Sequence, residues 1–263
     1  MSKIKRLGIS LVILAVLISA PIIFITQHYV PPILMYHSVG PDARPENRLV
    51  VSAATFERQV RFLKNHKYNV LPLENLADLI RQHKKIPPKT VAITFDDGYK
   101  DFYVYAYPIL KKYNLAATMF VIINEVERPQ GDRLSWNNIR EMNNSGIISF
   151  GSNALGPEPL INLKSKDEVK RQIFDSKVAL EENTCREVKL FSYPEGRFNT
   201  EIRELVVRSG YRAAVATNPG RNYPSDDIFA LKRLRISENA ANLFVFWAET
   251  SGFYTFFKER RHK

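Results

Sequence analysis

Seven short β-rich segments alternate with helical segments between residues 33 and 236, and this alternation limits the folds open to the chain. Apolar residues dominate most of these segments, as is typical of strands buried on both faces of a parallel sheet. The segments cover residues 33–36, 91–95, 117–123, 147–151, 188–193, 211–216 and 231–236. Parallel strands need a crossover connection, so repeated βα units surround the sheet with helices. We therefore predict an α/β fold, a distorted (β/α) barrel of about seven parallel strands over residues 33–238.

Capping residues predict where several of the intervening helices begin. Ser52, Ser135 and Ser165 each precede a helical periodicity, and a serine side chain can accept a hydrogen bond from a free backbone N–H in the first turn. Residues 99–113 are also predicted to be helical, with a bend or a helix start near Pro108.

The first part of the chain has the pattern of a membrane anchor. Residues 7–25 form nineteen uncharged residues, close to the ~20 that a helix needs to cross a bilayer. Lys3, Lys5 and Arg6 precede them, and such positive residues stay in the cytoplasm. A cleaved signal peptide is the alternative, because small residues precede Pro21, although the apolar run continues beyond it. We predict a single-pass membrane protein with residues 1–6 cytoplasmic, 7–25 transmembrane, 26–32 a linker, 33–238 in the periplasm or at the cell surface, and 239–263 a C-terminal helix and basic tail.

Charge and cysteine content narrow the possible partners. The formal net charge is +11, and a basic run at residues 258–263 contributes to it, which favours anionic lipid or anionic glycan as a neighbour. No basic stripe interleaved with aromatic residues is present, so nucleic acid is not an expected partner. Cys185 is the single cysteine, so the fold contains no internal disulfide. The oligomeric state is left open.

Two adjacent acids follow the second predicted barrel strand. In a parallel barrel the carboxyl ends of the strands carry the chemistry, and Asp96 and Asp97 lie at such an end. Two neighbouring carboxylates in a buried position repel each other unless a cation or a proton lies between them. One acid can bind a divalent metal while the other acts as a base toward a metal-bound water. The same Asp-Asp-Gly turn also occurs as a simple helix cap, so the pair alone leaves both interpretations open.

Four ordered landmarks resemble one family. The sequence Thr-Phe-Asp-Asp-Gly-Tyr at residues 94–99 resembles the first motif of the polysaccharide deacetylases, also called the NodB-homology group or carbohydrate esterase family four. Residues 32–39 resemble the first strand of its exported, membrane-associated members, and residues 134–136 and 191–197 resemble two later landmarks. The resemblance extends over about 33–236, and four landmarks in order are more specific than one.

The resemblance implies a function and a set of roles. Family members remove N-acetyl groups from amino sugars with a divalent metal, commonly zinc. By this resemblance Asp96 is the general base, Asp97 is a metal ligand, Pro194 shapes the groove, and backbone near Tyr193 polarises the acetyl carbonyl.

Three further residues are candidates for substrate binding. His37 follows the first strand and could reach the pocket, or it could make a structural hydrogen bond. Tyr99 and Trp136 could stack on sugar rings, or they could serve barrel and loop packing.

The chain departs from the family at the remaining metal ligands. Family members carry two histidines four residues apart, where this chain has Asn153 and Pro157. Zinc favours imidazole, thiolate or carboxylate, so the usual zinc site is absent. Glu158 could complete an oxygen set with Asp97 and Asn153 that suits Mg, Mn or Ca, or it could be a solvated loop charge and no metal need bind.

Two functions are therefore consistent with the sequence. The first, which the intact Asp96–Asp97 pair favours, is a membrane-anchored hydrolase that deacetylates N-acetylated polysaccharide of the cell envelope or of exported glycan. The second is a catalytically degenerate protein that binds glycan or serves as an envelope scaffold, as the replacements at Asn153 and Pro157 suggest.

Overall fold

The computed structural model describes residues 29–41, 43–44, 46–217, 227–252 and 254. The predicted membrane span at 7–25, the cytoplasmic stub at 1–6 and most of the basic tail lie outside these residues. Within the described ranges, none of the helices combines the length and the apolar character needed to cross a bilayer.

A nearly closed barrel of parallel strands forms the centre of the domain. The strands are β1 Ile33–Tyr36, β2 Ser38–Val39, β3 Val50–Val51, β4 Asn69–Val70, β5 Thr90–Phe95, β6 Ala117–Val121, β7 Ile148–Ser152, β8 Leu190–Ser192, β9 Ala213–Ala216, β10 Leu231–Lys232 and β11 Leu234–Arg235. The sheet runs in the order β10-β9-β8-β7-β6-β5-β1-β11, and β4 pairs with the start of β5.

The last strand closes the barrel. Only Arg233 separates β10 from β11, and because β10 pairs with β9 while β11 pairs with β1, this interrupted strand joins the two sides of the barrel. Counted as one strand, it gives seven strands around the barrel, at the seven predicted segments. The prediction of an α/β barrel is confirmed.

Helices connect the strands. They are α1 Ala53–Asn65, α2 Leu73–Arg81, α3 Tyr107–Tyr113, α4 Trp136–Asn144, α5 Lys166–Thr184, α6 Thr200–Arg208 and α7 Leu243–Thr250. Ser52, Ser135 and Ser165 cap α1, α4 and α5 as predicted, each accepting a hydrogen bond from a backbone N–H in the first turn.

The helix predicted over 99–113 has an irregular first half. Phe102–Ala106 forms a π-helical turn, and Pro108 lies in the first turn of α3. Proline has no N–H to continue the regular ladder, which explains why the α-helix begins at this point rather than earlier.

Aromatic packing fixes the strands that carry the acid pair. The rings of Tyr36, Phe56 and Phe95 are buried, with centroids 5.2 to 5.6 Å apart. Such pairs contribute roughly 0.5–1.5 kcal/mol each beyond the burial of their area. Tyr36 ends β1 and Phe95 ends β5, so this cluster holds the carboxyl ends of two neighbouring strands in register.

Candidate active site

The carboxyl ends of the strands bring distant residues to one rim of the barrel. Asp96 and Asp97 follow β5, His37 follows β1, and Asn153 follows β7. Arg233 reaches the same place from the break between β10 and β11. These residues occupy the end of a parallel barrel at which catalytic and binding groups are found in other barrel proteins.

Asp96 forms a buried ion pair with Arg233. Arg233 Nη1 lies 2.6 Å from Asp96 Oδ1 and Nη2 lies 2.6 Å from Oδ2, and the two residues are only 4% and 6% exposed. Arg233 also donates to Ser192 Oγ at 3.0 Å and to Thr94 Oγ1 at 3.3 Å. Its guanidinium carbon lies 5.4 Å from the centroid of the Phe120 ring. The positive charge beside Asp96 is therefore supplied by the protein itself.

The position of Arg233 corrects one argument made from the sequence. The sequence predicts a cation or a proton between the two acids, with a metal ion as the candidate cation, but for Asp96 the neutralising cation is the guanidinium of Arg233. The sequence held only a weak signal, because Arg233 is one of three basic residues in the predicted strand 231–236, beside Lys232 and Arg235.

Asp97 lies beside Asn153 in a strained turn. Its φ of 70° is in the left-handed region, which aspartate tolerates better than most residues. Asn153 Nδ2 donates to Asp97 Oδ1 at 3.1 Å, and Asn153 is buried. Burial, and secondly the charge of Asp96, raise the pKa of Asp97 to about 6, although Arg133, Arg233 and the bond from Asn153 oppose this rise. Of the two acids, Asp97 is therefore the one whose negative charge is less well compensated by neighbouring groups.

His37 is half-buried close to Asp96 and Arg233. Burial lowers the pKa of His37, and the charges of Arg233 and Arg235 act in the same direction, while Asp96 opposes them. Nδ1 of this side chain is buried without a hydrogen-bond partner. Burial thus favours the neutral form of His37, whose Nδ1 is unpaired, and the charge of Asp96 opposes this effect.

Tyr99 and Arg133 form a flat, partly exposed surface next to the acids. The guanidinium carbon of Arg133 lies 3.9 Å from the centroid of the Tyr99 ring. Arg133 also pairs with Glu125 at 3.3 Å, but its Nη1 is buried without a partner. Trp136 begins α4 and packs partly against the core, so packing accounts for much of its surface.

Tyr193 and Pro194 support the rim from below. Tyr193 Oη donates to the carbonyl oxygen of Phe229 at 2.9 Å, and its backbone N–H donates to the carbonyl of Val215 at 3.1 Å. The N–H of Tyr193 is thus already used, so this particular donor does not point to a bound acetyl group. Pro194 is buried and starts the turn Pro194–Gly196.

The turn after Tyr193 requires glycine. Gly196 has a φ of +70°, and a Cβ at this position would lie 2.5 Å from the backbone nitrogen of Thr217. This close approach holds the loop after β8 against the end of β9.

Glu158 lies outside this group of residues. Both Pro157 and Glu158 are exposed, and Glu158 accepts a hydrogen bond from Asn162. Among the residues that the structure describes, no three His, Cys, Asp or Glu side chains are grouped so that they could hold a metal ion. Asp97 and Asn153 offer one carboxylate and one amide, which does not fit zinc with its preference for three nitrogen, sulfur or carboxylate ligands.

Unpaired polar atoms concentrate at this end of the barrel. Buried side-chain atoms without a hydrogen-bond partner occur on five of its residues, namely His37 Nδ1, Asp101 Oδ1, Arg133 Nη1, Asn153 Oδ1 and Arg233 Nε. Asp101 joins the group through Ser38, whose hydroxyl donates to its other oxygen. Buried polar groups are normally paired, so unpaired donors and acceptors grouped at one end of the barrel are typical of a site that binds a polar ligand.

A parallel barrel with an acid pair and unpaired polar groups at the carboxyl ends of its strands defines a class, the α/β barrel proteins whose site lies at that end of the barrel. The comparisons with known proteins identify the family: the profile described as polysaccharide deacetylase matches residues 83–214. The chain belongs to the polysaccharide deacetylase family.

Three relatives illustrate the similarity. YxkH of Bacillus subtilis, whose name gives it as a candidate polysaccharide deacetylase, is 34% identical over 206 residues, covering 78% of this chain and 71% of YxkH. A poly-beta-1,6-N-acetyl-D-glucosamine N-deacetylase of Staphylococcus aureus is 27% identical over 203 residues, covering 72% of this chain and 69% of the relative. The Streptococcus pyogenes deacetylase PplD, whose structure was solved in complex with acetate, superimposes with a TM-score of 0.74 at 30% identity, covering 82% of this chain and 97% of PplD.

Proposed function

We propose that this chain binds N-acetylated polysaccharide at the rim of its barrel and that it does so without a zinc ion. The observation that carries the proposal is the concentration of unpaired polar atoms beside the half-buried ring of Tyr99. An N-acetylated sugar presents hydroxyls, an amide N–H and a carbonyl, together with an apolar ring face. At the rim, Arg133 Nη1 is a buried donor without a partner, and Asp101 Oδ1 and Asn153 Oδ1 are buried acceptors without a partner. The half-buried ring of Tyr99, over which Arg133 packs, supplies an apolar surface beside them.

The relatives support the choice of ligand. The S. aureus relative is named for a polymer of N-acetylglucosamine, and PplD was solved with acetate, the product of de-N-acetylation. In this chain Arg233 neutralises Asp96, and Asn153 occupies a position at which the family carries a metal histidine. These two features favour retention of glycan binding with loss of the zinc chemistry.

The place of action follows from the sequence. We propose that residues 7–25 anchor the chain in the membrane, with the N-terminus in the cytoplasm and the barrel in the periplasm or at the cell surface. In that position the rim of the barrel meets cell-envelope or exported glycan.

Binding is tested with oligomers of β-1,6-linked N-acetylglucosamine and the full chain in mild detergent. Tyr99→Ala removes the half-buried ring over which Arg133 packs and should weaken binding markedly, because this ring is the apolar part of the site and positions Arg133. Tyr105→Ala is the matched control, since Tyr105 is an exposed tyrosine on the nearby π-helical turn. Equal binding by both variants, or equal affinity for the de-N-acetylated oligomer, would count against the proposal.

Hydrolysis with a different metal is the second candidate, and the retained Asp96–Asp97 pair favours it. Asp97 and Asn153 present oxygen atoms, which suit Mg, Mn or Ca better than zinc. Acetate release from the same oligomers is measured in each of these ions and in zinc, with Asp96→Asn as the control. Release that depends on the ion and disappears in Asp96→Asn would establish this candidate, and release no greater than that of the control in every ion would exclude it.

A further inference from the structure

Helix α7, Leu243–Thr250, presents an unusual apolar surface. Its side chains Leu243, Phe244, Val245 and Trp247 are exposed, with Phe244 72% and Trp247 48% exposed and their ring centroids 5.5 Å apart. Four of the ten exposed large apolar residues in the described part of the chain lie on this eight-residue helix, and the other six are spread over several elements. We call these four residues the α7 face. Exposed apolar residues grouped in this way mark an interaction surface.

The inner side of the same helix is firmly packed. Phe246 is fully buried, and its ring centroid lies 5.8 Å from that of Phe62 on α1. Thr250 is buried and its hydroxyl donates to the carbonyl of Phe246. The helix is thus fixed to the barrel, and the α7 face is a stable part of the surface.

The end of α7 lies where the chain enters the domain from its predicted membrane span. Val30 N–H donates to the carbonyl of Gly252 at 3.0 Å. Gly252 has a φ of +81°, and a Cβ there would lie 2.3 Å from the Tyr29 ring, so Tyr29 packs directly on this glycine. Four residue steps separate Tyr29 from residue 25, the last of the predicted span, and they reach at most ~14 Å. An α-helix of eight residues is itself about 12 Å long, so the α7 face lies within reach of the bilayer surface.

The composition of the face and of the following sequence indicates the chemistry of its partner. Tryptophan and other aromatic residues are favoured at the boundary between lipid headgroups and acyl chains. Residues 258–263, which follow α7 in the sequence, contain four Lys or Arg and one Glu. A basic segment that follows an aromatic face in the sequence matches a bilayer that contains anionic lipid.

We infer that the α7 face docks on the surface of an anionic bilayer and holds the barrel against the membrane next to its anchor. Tyr29 and Val30 precede β1, so this contact lies toward the amino ends of the barrel strands, whereas Asp96 lies at their carboxyl ends. Docking therefore fixes the domain with its rim directed away from the point where the chain enters the membrane. This inference rests on the proposed anchor and is independent of glycan binding.

Fluorescence of the full chain in phosphatidylglycerol vesicles with brominated acyl chains tests the docking. The chain has two tryptophans, so Trp136→Phe leaves Trp247 as the single reporter and Trp247→Phe leaves Trp136. Docking predicts that the bromolipid quenches the emission of Trp136→Phe strongly and that Trp247→Phe loses most of this quenching. In addition, Trp247 should be protected from iodide in the surrounding water.

A second pair of variants separates docking from general effects of the mutations. Phe244→Ser removes the most exposed ring of the face and should reduce the quenching of Trp247, whereas Phe174→Ser, on a phenylalanine of α5 that is 48% exposed, should leave it unchanged. If brominated lipid does not quench the emission of Trp247 and iodide still does, the inference is overturned. Protection from both quenchers that increases with protein density would also overturn it, because it would show that a second copy of the chain covers the face.

Discussion

Loss of Arg233 should destabilise the domain strongly, because it leaves Asp96 as an uncompensated buried charge. Arg233→Met removes two charge-assisted hydrogen bonds of 2.6 Å while leaving an apolar side chain of similar length. Removing one partner of a buried ion pair costs about 3–5 kcal/mol. One kcal/mol shifts the unfolding midpoint of a domain of this size by ~2–4 °C, so the midpoint should fall by roughly 6–20 °C. Thermal unfolding of the full chain in mild detergent, followed by circular dichroism, measures this shift.

A double-mutant cycle separates the ion pair from packing. Asp96→Leu leaves Arg233 without its partner and should also be costly, but the double variant Asp96→Leu/Arg233→Met leaves no buried charge. Replacing both members of a buried pair by apolar residues is often nearly neutral, so the double variant should be more stable than either single one. If the two single costs simply add, within about 0.5 kcal/mol, the two side chains act independently and the reasoning is refuted.

Three further predictions follow from the same site. The pKa of Asp97 is raised to about 6, so the folded state holds a proton that the unfolded chain releases, and this site adds stability as the pH falls from 7 toward 4. Asp97→Asn should remove that pH dependence and stabilise the domain at pH 7.5 by on the order of 1–3 kcal/mol in urea unfolding; an unchanged pH profile would contradict it. His37 should titrate below its ordinary value of 6.5 in an NMR experiment on its ring protons, and a value at or above 6.5 would show that Asp96 outweighs burial. Gly196→Ala should lower the unfolding midpoint and weaken glycan binding, because its Cβ would lie 2.5 Å from a backbone nitrogen, and an unaltered midpoint would mean that the turn adapts easily.

The parts of the fold that depend on local pattern could be predicted from the sequence. Apolar runs between turn residues give the strands, and the rule that parallel strands end at one rim places Asp96, Asp97 and Asn153 together. The contact between Asn153 and Asp97 agrees with that expectation, since the two residues follow different strands.

The residues that depend on barrel closure and loop path could not be predicted in this way. Arg233 lies 137 residues from Asp96 and meets it only because β10 and β11 join the two sides of the barrel around a one-residue break. Glu158 follows Pro157, to which the resemblance assigns the second metal position, but its loop directs Glu158 to Asn162 and to solvent. Sequence spacing fixes neither a closure contact nor the direction of a loop side chain.

The affinity of the full chain for an N-acetylglucosamine oligomer, measured by calorimetry in zinc and again in excess chelator, tests the central claim most directly. If Arg233 and the unpaired polar atoms of the rim form the site, the affinity is the same in both conditions and no acetate accumulates in the calorimeter cell. A large loss of affinity in chelator, accompanied by acetate release in zinc, would show that a metal ion completes the site and that the chain is a working deacetylase.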